Sequence, residues 1–363
     1  MDIQLDNIIF SLQKAGGASV VWQQHLERLL KDNQFQPFCL EYNNAELNFF
    51  RKQLKINQDL LNQRSSKYLF IERYLNLNSQ QKSKHLFHSS HYRIEKGKNI
   101  INVTTVHDFT YEYFISGFRK KIHSWQKNTA INNSKGIICV SESTKKDLLR
   151  FLPHINENKI RVIYNGVDEH FKLLNDNVII EKKHLFEDYS YALYIGDRRT
   201  AYKNFDMAVD ACRLAQIPLL IIGGGALTQE ELYKLNVKLG TENYFILLGV
   251  SLEDLNYYYN RAYCLLYPSL YEGFGIPVIE AQRAGCPVVA THSSSIPEVI
   301  GNEYLMLQDP TAEKIFHKIK EISIDSNLRK ETIERGLFKS KNYSWERTYQ
   351  QTTEFYRELY FEK

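Results

Sequence analysis

Short apolar runs of strand length alternate with longer stretches of helical period along most of the 363-residue chain. This alternation is typical of parallel sheets, because parallel strands need crossover connections that are usually helices. The candidate strands of the first half are residues 7–12, 36–40, 85–87, 101–106, 136–140 and 159–163, and those of the second half are residues 191–195, 218–222, 244–248, 264–268 and 287–290. The chain is therefore predicted to be an α/β protein.

Length and pattern together indicate two domains. A chain of this size usually exceeds what one hydrophobic core holds, and the alternation lapses between residues 165 and 187. We expect a first Rossmann-like domain over residues 1–170 and a second over residues 186–342. Residues 343–363 are predicted to end the chain in a helix of aromatic and charged side chains.

Two glutamates with seven residues between them, Glu272 and Glu280, mark the segment that carries most of the functional information. A buried strand precedes the segment and a helix with Pro277 in its favoured first turn follows it, so Gly273 and Gly275 form the turn. Backbone N–H groups and the helix dipole favour an anion there. Glu272 is expected in the loop and Glu280 in the first helical turn, where carboxylates accept hydrogen bonds from hydroxyls. A phosphate site beside two carboxylates suits a sugar nucleotide.

The segment E-G-F-G-I-P-V-I-E resembles the E-x7-E motif of retaining glycosyltransferases with the GT-B architecture, specifically the bacterial "group 1" family, family 4. The resemblance spans essentially the whole chain: it is strong over residues 191–301, moderate over 101–168 and poor over 43–84. It implies two Rossmann-like domains that face a cleft, with the C-terminal helix crossing back to complete the first, acceptor-side domain. It also implies that the second domain binds the nucleotide sugar.

Donor-binding residues follow from the resemblance and from local pattern. A basic loop after the strand at 191–195 holds Lys203 and either Arg198 or Arg199 for the diphosphate; Arg198 is favoured, although Asp197 replaces the arginine that usually follows the glycine of this loop. The resemblance further implies that Gly16 and Gly17, expected between the first strand and first helix, close over the donor sugar. It assigns the remaining donor contacts to Val250, Phe274, Gly275, Ile276 and Glu280.

His107 and Glu272 are the catalytic candidates. His107 follows the strand at 101–106, and ligands bind outside the carboxyl ends of parallel strands. The resemblance implies a hydrogen bond from His107 near C6 and the reacting carbon of the donor, with Asp108 orienting His107 or its loop. Acceptor residues are expected after the strand at 85–87, at His88, His91, Tyr92 and Arg93.

Charge and cysteine content constrain the surroundings of the protein. The net charge of +4 is mild, but residues 51–98 carry eleven Lys and Arg against three acids, and residues 118–125 add a basic patch with aromatics. These segments suit either a solvated face or contact with an anionic membrane. Five scattered cysteines are expected to be buried and reduced. Without a signal peptide or an apolar run of membrane-spanning length, we expect a cytoplasmic protein, either free or peripheral on the inner membrane face.

The resulting hypothesis is a retaining hexosyltransferase that uses a nucleotide-diphosphate sugar to build lipopolysaccharide O-antigen, capsule or exopolysaccharide on a lipid-linked or oligosaccharide acceptor, with no nucleic acid as partner. GDP-mannose-like donors are favoured over UDP- or dTDP-sugars. No cofactor and no metal are expected, because the chain has no Asp-x-Asp and no spaced ligand cluster. The alternatives are a nucleotide-sugar epimerase or hydrolase of the same architecture, or a non-catalytic sugar-nucleotide-binding subunit.

Overall fold

The computed structural model describes residues 1–79, 83–175 and 185–362 and divides the chain into two compact units. One unit joins Met1–Gly166 to Trp345–Lys363, and the other is Val167–Ser344. The predicted domain boundary includes residues 176–184, which lie outside the described residues, as does Lys82 of the predicted basic segment.

The first unit is built on parallel strands. Its strands are β1 (Asp2–Asp6), β2 (Gln36–Tyr42), β3 (Leu61–Arg64), β4 (Leu77–Asn78), β5 (His85–Ser89), β6 (Glu95–Lys96), β7 (Ile100–Val106), β8 (Gly136–Cys139) and β9 (Ile160–Val162). Its helices before the second unit are α1 (Ile9–Leu12), α2 (Gly17–Leu29), α3 (Leu69–Glu72), α4 (Thr110–Phe114), α5 (Gly117–Asn132) and α6 (Glu142–Phe151). Over the described residues the main sheet has the order β3-β2-β1-β5-β7-β8-β9, all parallel, and β4 pairs with β6.

The predicted first strand at residues 7–12 is wrong. The strand is β1, and Ile9–Leu12 forms one helical turn. A short apolar run does not distinguish a strand from a buried helical turn by periodicity alone. The chain leaves the strand at Asn7, whose side chain bonds Trp22 and Glu41 and whose carbonyl accepts the first turn bond from Phe10. The sequence pattern also did not predict β3, an edge strand with a largely polar sequence, or the two-residue strands β4 and β6.

The second unit repeats the plan. Its strands are β10 (Ala192–Ile195), β11 (Leu219–Ile222), β12 (Tyr244–Leu247), β13 (Cys264–Tyr267), β14 (Val288–Thr291) and β15 (Met306–Leu307). Its helices are α7 (Phe205–Ala215), α8 (Gln229–Leu239), α9 (Leu252–Arg261), α10 (Ile276–Arg283), α11 (Ile296–Val299), α12 (Ala312–Ile324) and α13 (Ser326–Ser340). Within the part of the chain that is described, the parallel order is β12-β11-β10-β13-β14-β15. The strand order therefore reverses between β10 and β13, where ligands of doubly wound sheets bind.

The last helix, α14 (Trp345–Phe361), returns to the first unit, which confirms the predicted crossing back. Tyr349, Phe355 and Tyr356 are buried in the same core cluster as Leu26 of α2. Burial of each such side chain stabilises the unit by about 1.5–3 kcal/mol. The helix begins after Tyr343, whose hydroxyl donates to the Glu298 carbonyl in the second unit.

Two further observations concern the whole described chain. All five cysteines are buried and none is in a disulfide. Within residues 1–79, 83–175 and 185–362, none of the helices is both long enough and apolar enough to cross a membrane.

Candidate functional site

Lys203 and Glu272 meet at the reversal of strand order in the second unit. Lys203 closes a short 3₁₀ turn, Ala201–Lys203, after β10, and Glu272 lies in the loop after β13. The Lys203 Nζ lies 2.5 Å from the Glu272 Oε1. Two hydrogen bonds tie the loops together, from the Asn204 side chain to the Pro268 carbonyl and from the Leu270 N–H to the Tyr202 carbonyl. The ion pair is thus held on a braced backbone.

The turn that follows Glu272 has the geometry predicted for an anion site at a helix start. Gly275 has a left-handed φ of +97° and directly precedes α10, in which Ile276 and Pro277 take the first positions. A Cβ at Gly275 would also lie only 3.0 Å from Ile296, so glycine is favoured twice. Phe274 is buried edge-on against Tyr343, with ring centroids 5.7 Å apart. The turn is therefore anchored on its apolar side.

Glu280 lies one residue further into its helix than expected. It is the fifth residue of α10, and the first turn of that helix has no acid, so the prediction of a first-turn carboxylate is wrong. The preceding strand ends one residue earlier than predicted. The helix starts at Ile276 rather than at Pro277, so Glu280 falls just beyond its first turn. The Tyr259 hydroxyl donates to Glu280 Oε2 at 3.0 Å. Burial raises the pKa of Glu280 to about 7, although the Tyr259 hydrogen bond opposes this shift.

Arg198 is occupied by the glycine-rich loop after β11. Its guanidinium is buried and donates to the carbonyls of Gly223 at 2.7 Å and Gly225 at 2.8 Å, and it lies 3.4 Å from Glu231. Arg199 is more exposed and pairs with Glu231 at 2.9 Å. The structure thus joins Lys203 to Glu272, but joins both arginines to the loop that begins at Gly223.

Val250 lies in the turn between β12 and α9. Gly249 before it has a φ of +66°, and Ser251 after it caps α9 by accepting from the Asp254 N–H at 3.1 Å. This places the Val250 backbone at the carboxyl end of β12, on the same edge of the sheet as Lys203 and Glu272.

Gly16 and Gly17 start α2 in the first unit, but α1 separates them from β1. Gly16 is extended and is the residue that precedes the helix. A Cβ there would approach the Gln13 side chain to 2.6 Å, whereas a Cβ at Gly17 would meet nothing within 4 Å. The backbone at Gly17 is therefore open to a ligand.

His107 follows β7 and lines a pocket in the first unit. Burial lowers the pKa of His107, and the neighbouring Asp108 partly offsets this effect. Although burial opposes it, Lys127 and the Thr110 N–H lower the pKa of Asp108. Asp108 Oδ1 accepts from that N–H at 2.9 Å. A neutral imidazole beside a fixed carboxylate can donate or accept one hydrogen bond to a substrate.

Apart from His88, which was predicted as an acceptor residue, the sequence pattern did not identify the other side chains of this pocket. His88 on β5 bonds the Tyr356 hydroxyl through Nδ1 and lies 2.9 Å from Thr105 Oγ1 through Nε2. The Tyr356 hydroxyl also lies 3.0 Å from His25 Nε2. The pocket is completed by aromatic side chains of α2 and α14, namely Trp22, Trp345 and Tyr349. These side chains come from opposite ends of the chain, so a local sequence pattern cannot predict that they share a pocket.

The remaining acceptor candidates have partners within the first unit. Arg93 is buried in an ion pair with Asp6, with Nε–Oδ2 at 2.8 Å, and also donates to the Tyr42 hydroxyl. Tyr92 is buried beside Lys127. The half-buried His91 accepts a hydrogen bond at Nε2 from the Arg73 guanidinium, at 3.0 Å. Of the four predicted acceptor residues, His88 shares a pocket with His107, and Arg93 forms part of the buried framework.

The basic segment is not a uniform surface. Arg51 and Arg93 form buried ion pairs with Glu41 and Asp6. Exposed apolar side chains instead cluster in two stretches of this unit, around α3 and from α4 into α5: Tyr68, Phe70, Ile71, Leu75, Phe114, Ile115, Phe118 and Trp125. Gln126 donates to the Arg73 carbonyl and so links the two stretches. We call these eight side chains the apolar patch; exposed Lys67, Arg119 and Lys121 lie beside it in sequence.

Another expectation fails at Ser295. The spacing Ser295-x-x-Glu298 predicts a capping box, but the Ser295 side chain makes no capping bond to α11. Its hydroxyl donates instead to the carbonyls of Glu272 at 2.9 Å and Phe274 at 3.0 Å. A buried serine that faces the carbonyls of a neighbouring loop donates there rather than accepting from its own helix. Among the described residues, no three His, Cys, Asp or Glu side chains group as a metal site would require.

Two sequence families match the chain in succession. Glycosyltransferase Family 4 matches residues 15–171, and Glycosyl transferases group 1 matches residues 175–337. The O-antigen chain mannosyltransferase B of Escherichia coli is 29% identical over 269 residues, which are 71% of this chain and 70% of that protein. The O-antigen chain mannosyltransferase RfbU of Salmonella typhimurium is 30% identical over 236 residues, 64% of this chain and 63% of that protein.

Solved structures share the fold across nearly the whole chain. Sucrose-phosphate synthase from Thermosynechococcus elongatus has a TM-score of 0.74 at 18% identity and covers 99% of both chains. Anabaena HepE in complex with UDP and glucose has a TM-score of 0.74 at 15% identity and covers 98% of this chain and 99% of that one. At such identities the likeness concerns architecture, and it confirms the predicted pair of Rossmann-like sheets.

Proposed function

Because the chain belongs to the family 4 ("group 1") glycosyltransferases, we propose that it transfers mannose or a similar hexose from a nucleotide-diphosphate sugar with retention of configuration. Glycosyl transfer is the common activity of the family. The acceptor is proposed to be a lipid-linked glycan of O-antigen, capsule or exopolysaccharide synthesis at the cytoplasmic face of the membrane. GDP-mannose is the favoured donor, since relatives from two organisms are named O-antigen chain mannosyltransferases.

The observation that carries this proposal is the Lys203–Glu272 pair at the start of α10. A cation beside the backbone N–H groups at a helix start favours a diphosphate. Carboxylates at Glu272 and Glu280 accept hydrogen bonds from neutral hydroxyls, which a nucleotide sugar has on both its ribose and its hexose.

The proposed reaction is a substitution on one face of the donor. The bond between the anomeric carbon and the phosphate oxygen breaks, and its electron pair stays on the diphosphate. The acceptor oxygen then bonds the anomeric carbon on the same face, and its proton passes to the departing diphosphate. Lys203 and the amides at Phe274, Gly275 and Ile276 stabilise the developing negative charge. Glu272 and His107 orient the hexose and stabilise the positive charge that develops on it.

Arg198 is assigned a supporting role here. Its guanidinium already donates to two carbonyls of the loop after β11, so it stiffens that loop. Lys203 is then the main side-chain cation for the diphosphate. The sequence-based expectation of a direct Arg198–phosphate contact stays a prediction.

The decisive experiment has two steps. GDP-, UDP- and dTDP-hexoses are first screened for thermal stabilisation, since a ligand at about 100 times its Kd stabilises a protein by about 2.7 kcal/mol. The selected donor is then incubated with and without a polyprenyl-diphosphate-linked saccharide. We expect an α-linked donor to give an α-linked product by NMR, and Glu272→Gln to lower turnover strongly. A β-linked product contradicts retention, and equal donor turnover without acceptor favours the epimerase or hydrolase.

Contact with the membrane is a further part of the proposal. Phe118 is 76% exposed, Phe70 is 67% exposed and Trp125 is 59% exposed, and basic side chains lie beside them in sequence. Aromatic and aliphatic side chains with lysines and arginines favour the interface of an anionic bilayer. This contact would keep the enzyme near a lipid-linked acceptor.

A further inference from the structure

A run of three serines, Ser293–Ser295, passes beside the Glu272 loop. The run follows β14 and leads into α11. The backbone N–H of Glu272 donates to Ser294 Oγ at 2.7 Å. The Ser295 hydroxyl donates to the carbonyls of Glu272 at 2.9 Å and of Phe274 at 3.0 Å. Both backbone groups of Glu272 are therefore held by this one run.

Ser294 has an unusual backbone for a serine. Its φ is +47°, in the left-handed region that residues with a Cβ seldom adopt. Such a conformation persists only where the surroundings hold it, and it clusters at functional sites. Here it coincides with the hydrogen bond to the Glu272 N–H, so the same residue that carries the strain also carries the contact.

Ser295 bonds the backbone carbonyl of Glu272. It is fully buried, and its one hydroxyl hydrogen is shared between the two carbonyls that flank Gly273. A serine at a helix start would ordinarily accept from that helix, yet this one makes no capping bond to α11. Its hydroxyl is directed away from its own helix and towards the glutamate loop.

From these contacts we infer that Ser294 and Ser295 are positioning residues for the Glu272 carboxylate. The inference rests on the proposed catalytic role of Glu272. Glu272 precedes a turn with two glycines, whose backbone is mobile unless other groups hold it. The two serines bond both the N–H and the C=O of Glu272. They set where the carboxylate lies relative to Lys203 without touching the donor.

The first test uses three substitutions. Ser294→Gly removes the acceptor of the Glu272 N–H but suits the left-handed backbone, so the thermal midpoint should not fall. Turnover should nevertheless fall about 10- to 100-fold, since small displacements of reacting groups cost rates of this order. Ser294→Asn, whose side chain offers an oxygen and tolerates this backbone, should recover part of the loss. Ser293→Ala is the control, because Ser293 bonds the Ser269 carbonyl rather than Glu272, and it should stay within about twofold.

The second test asks whether Ser294 acts through Glu272. In a Glu272→Gln background, Ser294→Gly should cause little additional loss, because residues that act as a unit are not additive. Transfer from GDP-mannose, or from the hexose donor that the screen selects, is measured for the four members of the cycle. Independent, multiplying losses would overturn the inference, and so would a fully active Ser294→Gly chain. An active Glu272→Gln chain would instead overturn the proposed function and the inference together.

Hydrogen exchange gives a readout that does not depend on a substrate. Ser294→Gly should speed amide exchange in residues 270–275 while the thermal midpoint is kept. Unchanged exchange in that peptide would show that the loop is held by other contacts, and the inference would be wrong even if turnover fell.

Discussion

Lys203 and Glu272 form an ion pair with 2.5 Å between Nζ and Oε1, and their side chains are only 19% and 12% exposed. Lys203, which is expected to bind a diphosphate, thus already has a counter-ion in Glu272. The two residues follow β10 and β13, the strands between which the strand order reverses. Any anionic ligand at the start of α10 must compete with Glu272 for Lys203. Donor binding and the placing of the proposed catalytic carboxylate are consequently linked through one contact.

Lys203→Ala is expected to lower turnover about 10²- to 10³-fold, by analogy with the loss of one preorganised group that stabilises a developing anion. The matched control is Lys238→Ala, which breaks a similar pair with Asp210 at 2.7 Å between α8 and α7. The control should keep near-normal turnover. Steady-state kinetics with saturating donor decides the matter, and near-normal turnover in Lys203→Ala would remove this lysine from the site.

Glu280→Gln should change how stability depends on pH. Burial raises the pKa of Glu280 to about 7, against about 4.3 in an unfolded chain. Between these values the folded chain binds the proton and the unfolded chain does not, so this group's stabilising contribution is complete below about pH 4.3 and is lost as pH rises through 7. Gln cannot ionise and so does not lose this contribution. The stability of the variant relative to the unmutated chain should therefore be greater at pH 8 than at pH 5.5.

Glu231→Gln supplies a control of opposite sign for this measurement. The hydrogen bond from Arg199 lowers the pKa of Glu231 to about 2. Its contribution is present above the unfolded value and is lost only as pH falls through about 2. In chemical denaturation, the difference in unfolding free energy between Glu231→Gln and the unmutated chain should therefore be the same at pH 5.5 and at pH 8. If Glu280→Gln behaved in the same way, its carboxyl would titrate normally.

Arg198→Ala separates the two roles open to Arg198. If the guanidinium holds the loop at Gly223, Arg198→Ala removes charge-assisted hydrogen bonds to the Gly223 and Gly225 carbonyls and lowers the free energy of unfolding by about 1–3 kcal/mol. Arg199→Ala, which removes a more exposed ion pair, should lower the free energy of unfolding less than Arg198→Ala does. Urea denaturation compares the two variants. Unchanged stability with weakened donor binding would favour a direct contact between Arg198 and the diphosphate.

Binding to anionic vesicles should weaken sharply as salt is added, since exposed charges are screened over about 8–10 Å. Lys120→Glu with Lys121→Glu should weaken this binding further. The same charge change at Lys330 and Lys341, two exposed lysines of the other unit, should have little effect. Co-sedimentation with vesicles of phosphatidylcholine alone and with added phosphatidylglycerol measures both. Equal binding to the two vesicle types, or none to either, would assign these charges to a solvated face.

Excess EDTA should leave the purified enzyme fully active, because Lys203 and the backbone N–H groups before α10 offer positive charge without an ion. Turnover before and after chelation is the measurement. Activity that EDTA abolishes and Mg²⁺ or Mn²⁺ restores would mean that Glu272 or Glu280 binds a metal rather than hydroxyls.

Local pattern was sufficient for several features. Alternating strand and helix periods predicted both parallel sheets, and the glycines and proline after β13 predicted the turn before α10. The aromatic helix at the end of the chain was also predicted, because its apolar side chains recur at helical spacing. In each case the responsible signal lies within about one element, where neighbouring residues alone decide which face is buried.

Partners across the fold could not be predicted in this way. The sequence indicates that Arg198, Arg93 and Ser295 are polar, and only the tertiary structure shows that they bond Gly223, Asp6 and the Glu272 loop. Each pair joins residues between 23 and 87 positions apart. A hydrogen-bonding side chain takes whichever donor or acceptor the sheet order brings beside it, and that order depends on the packing of the whole domain. The polar residues after the strands could therefore be predicted from sequence, while the partners that they bond were decided by the fold.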